Sequence, residues 1–221
     1  VRDMQAIKRA LSIGAVTMIA LASVGSVDAA PARDAAEIDR QVEKFLGSAR
    51  GRWWDMNVPE VDGRTLRDLI VEKGYRNALE IGTSTGHSAV WMAWGLSKTG
   101  GKLTTIEIDP ERHQTAVANF QAAGLSGYID AKLADAHELV PRLQGPYDFV
   151  FSDADKDWYK NYFTAIWPRV SVGGCFAAHN VSMRGSGIRE FLDYLKTVPN
   201  ARTTFDTKSR EGISITCKTA S

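Results

Sequence analysis

Four stretches of the chain end apolar runs in groups able to do chemistry. Phe176-Ala177-Ala178 runs into His179-Asn180. Residues 147–151 run into Ser152-Asp153-Ala154-Asp155-Lys156. Leu79-Glu80-Ile81-Gly82 opens a glycine-containing turn, and Thr105-Ile106 leads into Glu107 and Asp109. A histidine beside an asparagine can cap a strand end, bind a metal or move a proton. A carboxylate at a strand end can accept both hydroxyls of a ribose. Lys156, read alone, is a solvated residue in the first turn of a helix. A positive charge is unfavourable there, so its place directly after two aspartates points to function.

Side chains so far apart in sequence meet only if the intervening elements bring them together. The pattern predicts helices over 34–49 and 63–72, a buried strand at 77–82, and a glycine turn running into a helix over 83–96. Ile38, Val42, Phe45 and Leu46 give the first helix one apolar face. Residues 102–109 read as a strand. Asp109-Pro110-Glu111 then starts a helix, with Asp as cap, Pro in the first turn and Glu at the positive end of the dipole. Strands at 129–133, at 147–155 and in the run ending at His179 alternate with helices near 137–143, 156–167 and 188–197. The last two strands, 201–205 and 212–217, have no helix between them and predict a hairpin at the sheet edge. Such alternation implies an α/β fold, with a mostly parallel sheet and helices on both faces. Ligands in these sheets bind beyond the carboxyl ends of the strands. Glu80, Gly82, Glu107, Asp109, Asp135, Asp153, Asp155, His179 and Asn180 are therefore expected around one crevice.

The stretch Leu79–Ser88, LEIGTSTGHS, spaces its glycines as G-x-x-x-G. They let a ligand approach the backbone as the chain turns from strand to helix. The spacing lacks the third glycine of dinucleotide enzymes. Glu80 would sit badly beside a pyrophosphate and suits a cationic ligand such as an ammonium group. Glu107 follows Gly82 by 25 residues, at the end of the next strand. In this order the signals favour S-adenosylmethionine, which carries an ammonium, a ribose and an adenine but no phosphate.

From about Trp54 to Gly187 the chain resembles the class I methyltransferases, and within them the cation-dependent small-molecule O-methyltransferases, the catechol and caffeoyl-CoA O-methyltransferase group. The matching stretches are WWDMNVP, ALEIGTSTGHSAV, LTTIEIDPE, DFVFSDADKDWYKNY and AAHNV. The resemblance implies a Rossmann-like methyltransferase fold with a seven-stranded sheet and an antiparallel C-terminal edge hairpin. It implies that Glu80, Gly82, Ser88 and the backbone at Val58 hold the methionine portion of the cofactor. Glu107 would take the ribose hydroxyls. Ile108, Asp135, Ala136 and Asp155 would border the adenine, with Tyr162 nearby. Asp153, His179 and Asn180 stand at the family's metal-ligand positions, Asp153 also bordering the cofactor, and Lys156 at that of the general base. Trp54 and Met56 match residues that line the acceptor, with Lys156 and Asn180 beside it. The implied reaction moves a methyl group from S-adenosylmethionine to a hydroxyl of a catechol-type molecule, of the catechol, caffeate or flavonoid class. A divalent metal on both catechol oxygens would stabilise the oxyanion and orient the ring. A homodimer is also implied.

His179 departs from that pattern, because the family has an aspartate there. One formal charge is lost, and magnesium prefers hard oxygen ligands. Imidazole suits manganese, cobalt, nickel or zinc better. Three readings stand: His179 ligates a transition metal, sits in a weakened magnesium site, or acts as base in a metal-independent enzyme. Two further functions compete, a nicotinamide-dependent oxidoreductase and a non-catalytic cofactor-binding protein.

The whole chain sets the frame. Its 221 residues are 44% hydrophobic with a formal net charge of +1, which suits one globular domain over 30–221. The balance gives no argument for nucleic acid as a partner. Residues 1–29 differ in kind. Arg2, Lys8 and Arg9 precede an uncharged run over 10–25, and Val27 and Ala29 are small. This is the layout of a signal peptide cut after Ala29, or of an anchor. It predicts export to the periplasm or a membrane contact through this segment; otherwise the protein is cytoplasmic. Cys175 and Cys217 are expected as free buried thiols, although an exported protein could pair them.

Overall fold

The computed structural model describes residues 34–53, 56–183 and 185–220. The expected signal or anchor segment, 1–29, lies outside the described residues, as does Trp54. Among the described residues no helix is long and apolar enough to cross a membrane. The elements run α1 (Ala35–Ala49), α2 (Glu60–Lys73), β1 (Asn77–Ile81), α3 (His87–Thr99), β2 (Lys102–Glu107), α4 (Pro110–Ala122) and β3 (Ile129–Leu133). They continue as α5 (Ala136–Leu139), β4 (Tyr147–Ser152), α6 (Tyr159–Ile166), β5 (Val170–His179), α7 (Ser186–Leu195), β6 (Ala201–Asp206) and β7 (Ile213–Lys218).

The strands form one sheet in the order β3-β2-β1-β4-β5-β7-β6. Pairings among β1 to β5 are parallel, and β7 runs antiparallel to both β5 and β6. The fold is thus the expected Rossmann-like α/β sheet with an antiparallel edge hairpin. Local chemistry sets the boundaries. Asp109 caps α4 by accepting from the amides of Glu111 and Arg112, with Pro110 in the first turn. Helix α2 begins at Glu60, three residues before the sequence pattern places it. Pro59 ends the loop, and Glu60 and Asp62 suit the positive end of the helix.

The two-residue period of the strands sorts side chains between two layers. Ala78, Leu103, Phe149, Phe151, Cys175 and Ala177 face the core shared with α1, α2 and α3. Leu79, Ile81, Ile106, Val150, Phe176 and Ala178 face the core shared with α6 and α7. The same period sends Glu80 toward α3 and His179 toward α2.

The reading of Cys175 and Cys217 as free thiols does not hold. The two residues stand directly opposite each other in the β5–β7 ladder, and they form a disulfide with Cα atoms 4.0 Å apart. Sequence separation hid this, because the two cysteines stand 42 positions apart on strands that become neighbours only in the folded sheet.

Candidate functional site

Strand order reverses between β1 and β4, and a cleft of about 640 Å³ opens there beyond the carboxyl ends of the strands. It gathers Met56, Gly82, Glu107, Ile108, Asp135, Ala136, Asp153, Asp155, Lys156, Tyr162, His179 and Asn180. These come from five different strand ends, the loop before α2 and, for Tyr162, helix α6. Sequence reasoning had separated them by up to 124 positions.

At one end of the cleft the backbone itself is the wall. Gly82 has φ +97°, and a Cβ there would lie 2.8 Å from the amide nitrogen of Ala154. Only glycine lets β1 turn this close to the β4 loop. Glu107 is held rigidly at the end of β2. Its Oε2 accepts from the amide of Ser84 at 2.6 Å, and its Oε1 from the amides of Ile108 and Asp109 at 3.1 and 3.0 Å. The carboxylate still lines the cleft, so it can accept hydroxyl groups there. Farther along, His137 packs against both Trp158 and Tyr162, with ring centroids 4.0 and 5.7 Å away. Its ring nitrogens lie 3.4 Å from carboxylate oxygens of Asp135 and Asp155. Aromatic faces beside carboxylates suit a flat, nitrogen-rich ring such as adenine.

Three expected cofactor residues do not reach this cleft. Glu80 is fully buried on the α3 face of β1. Its carboxylate accepts from Ser88 Oγ and Thr105 Oγ1, each at 2.5 Å. Burial pushes it up to about 8, against the lowering effect of those two hydroxyls and with help from the charges of Asp153 and Glu107. Ser88 gives its one hydroxyl proton to that contact. The carbonyl of Val58 accepts from His87 Nδ1 at 2.8 Å. These groups brace the wall of the cleft from behind.

The floor holds a chain of charged side chains. Lys156 Nζ donates to Asp153 Oδ1 at 2.7 Å and to the carbonyls of Asp153 and Ala154 at 2.9 and 3.1 Å. The other oxygen of Asp153, Oδ2, lies 3.1 Å from His179 Nδ1. His179 Nε2 lies 2.8 Å from Asp62 Oδ2, which also accepts from Ser209 Oγ at 2.7 Å. His179 is 3% exposed and Asp62 1%. Burial alone would lower the imidazole, but the hydrogen bonds and charges of Asp153 and Asp62 outweigh it and push it up to about 9. A ring flanked by two carboxylates donates at both nitrogens and keeps no lone pair. That geometry argues against His179 as a base.

It also fails to fit a divalent cation. A metal-ligating histidine binds through one unprotonated nitrogen while the other donates to a carboxylate; here Nε2 meets Asp62, and Nδ1, the nitrogen left to ligate, meets a second carboxylate, that of Asp153. Each oxygen of Asp153 already meets a nitrogen donor. Among the described residues no group of three His, Cys, Asp or Glu side chains converges as a metal site requires.

Sequence reasoning missed Asp62, Ser209 and His137. Asp62 lies 117 positions from His179, just before the helix that the sequence pattern places at 63–72. Its burial depends on which face of α2 meets the sheet. His137 carried a findable signal: it follows Asp135 at a strand end, as ligand-facing residues do in this fold.

Comparison with known proteins supplies an independent finding. Residues 33–206 match the model of a protein family described as O-methyltransferase. The chain is 36% identical over 139 residues to a catechol O-methyltransferase of Niastella koreensis, covering 61% of this chain and 62% of that relative. It is 32% identical over 144 residues to caffeoyl-CoA O-methyltransferase 1 of Eucalyptus globulus, covering 63% of this chain and 58% of that relative. The match thus spans about three fifths of those relatives' own length. A solved O-methyltransferase of Bacillus cereus, in complex with SAH, superposes with a TM-score of 0.70 at 27% identity. It covers 80% of this chain and 90% of that one.

Proposed function

Because this chain belongs to the O-methyltransferase family, we propose that it moves a methyl group from S-adenosylmethionine to a hydroxyl of a catechol-type aromatic molecule. The observation that carries this reading is the cleft itself. Glycine backbone, a rigidly held carboxylate, aromatic side chains and a lysine meet in one cavity at the strand-order reversal. S-adenosylmethionine, when bound, supplies an electrophilic methyl group on a sulfonium. The protein's own residues do the rest. Gly82 admits the cofactor's backbone-facing end, Glu107 accepts the ribose hydroxyls, and Asp135, Asp155, His137 and Tyr162 enclose the adenine.

Met56 and Asn180 flank the acceptor side, and Lys156 takes the acceptor's proton after its ammonium group has released one of its own to solvent. The bond from the acceptor oxygen to the methyl carbon forms as the carbon–sulfur bond breaks, and the electron pair leaves with sulfur. Most of the acceleration comes from holding the two reactants in line.

Incubating the protein with S-adenosylmethionine and caffeate, with mass spectrometry of the products, tests the reading. The expected product is heavier by one methyl group. Lys156→Ala is expected to lower kcat by about 10²- to 10⁴-fold with SAH affinity unchanged. Failure of the wild type both to bind SAH and to methylate any vicinal diol would overturn it.

A further inference from the structure

The bridge Asp62–His179–Asp153 crosses the cleft floor and joins three elements that are distant in sequence. Asp62 comes from α2, His179 from the end of β5, and Asp153 from the loop after β4. Ser209, in the turn between β6 and β7, holds the far end through Asp62 Oδ2. Asp62 Oδ1 is buried with no hydrogen-bond partner, so a single oxygen takes both donors. The strand period leaves His179 no other direction, since Cys175 and Ala177 set the face on which it lies. At the near end Asp153 is gripped on both oxygens, by His179 and Lys156.

The geometry points to a methyltransferase that binds no divalent cation in its cleft. The Asp62–His179 bridge occupies the site instead and acts as a positioning device for Asp153 and Lys156. A carboxylate at position 179 would leave Asp153 with a free oxygen and add a hard ligand. The imidazole instead closes the site by linking the two carboxylates already there. Asp62 and His179 are positioning residues, acting on the acceptor through Lys156. For its activity arm this inference rests on the proposed methyl transfer; its binding arm does not.

The binding arm is a titration of the full chain, freed of metal by chelation, with Mn(II) followed by electron paramagnetic resonance, with and without SAH. No saturable Mn(II) binding is expected in wild type, and one-to-one binding is expected in His179→Asp. Stoichiometric Mn(II) binding by wild type that is lost in Asp153→Asn would overturn the inference, whatever becomes of His179→Asp. SAH binding by calorimetry in the same samples reports separately on the methyltransferase reading.

In the activity arm EDTA is expected to leave turnover unchanged. Asp62→Asn is expected to lower kcat by about 10- to 100-fold with the KM for S-adenosylmethionine unchanged. Loss of turnover in EDTA, restored by Mg(II) or Mn(II), would overturn it. So would an Asp62→Asn enzyme whose kcat matches wild type.

Discussion

Glu80 shows how the direction a strand gives a side chain decides what that side chain touches. It lies in the cofactor motif, yet its side chain turns to Ser88 and Thr105 rather than to the cleft. Burial raises its ionisation from 4.5 to about 8. The unfolded chain therefore releases this proton near pH 4.5 and the native chain near 8. Between those values the native state holds more protons, so stability falls as pH rises through the window. Urea denaturation across pH 4.5 to 8 is expected to show this slope in wild type and a flatter one in Glu80→Gln. An identical slope in both proteins would assign the titration to another group.

At the scale of elements, the turns after the strands decide whether the cleft exists. The turn from β1 into α3 brings Gly82 against the loop after β4. Gly82→Ala combines a positive φ with a clash against backbone, and about 1–3 kcal/mol of destabilisation is expected. Weaker SAH binding should accompany it, both read by thermal melts with and without SAH. A variant as stable as wild type would show that the loop yields. Much of this level was legible beforehand. The alternation of apolar runs with helical periods set out the sheet, and the polar residues at strand ends marked the crevice. What stayed hidden was which helix face meets which strand face. That is why the Asp62–His179 contact across 117 positions was not legible, nor the contact of Glu80 with Ser88 and Thr105.

Over the whole molecule, a disulfide ties the parallel part of the sheet to its antiparallel hairpin. The Cys175–Cys217 disulfide closes a loop of 42 residues, which by loop-closure entropy contributes at most about 4 kcal/mol. Reduction, or Cys217→Ser, is expected to lower the melting temperature; a reduced protein melting like the oxidised one would remove the disulfide from the stability account. The same pairing has a further consequence. A slip of one residue between β5 and β7 would turn every side chain of β5 to the opposite layer. It would carry His179 away from Asp62 and Cys175 away from Cys217 together. A count of free thiols after refolding therefore reports, without substrate or cofactor, what fraction of molecules has built the cleft floor.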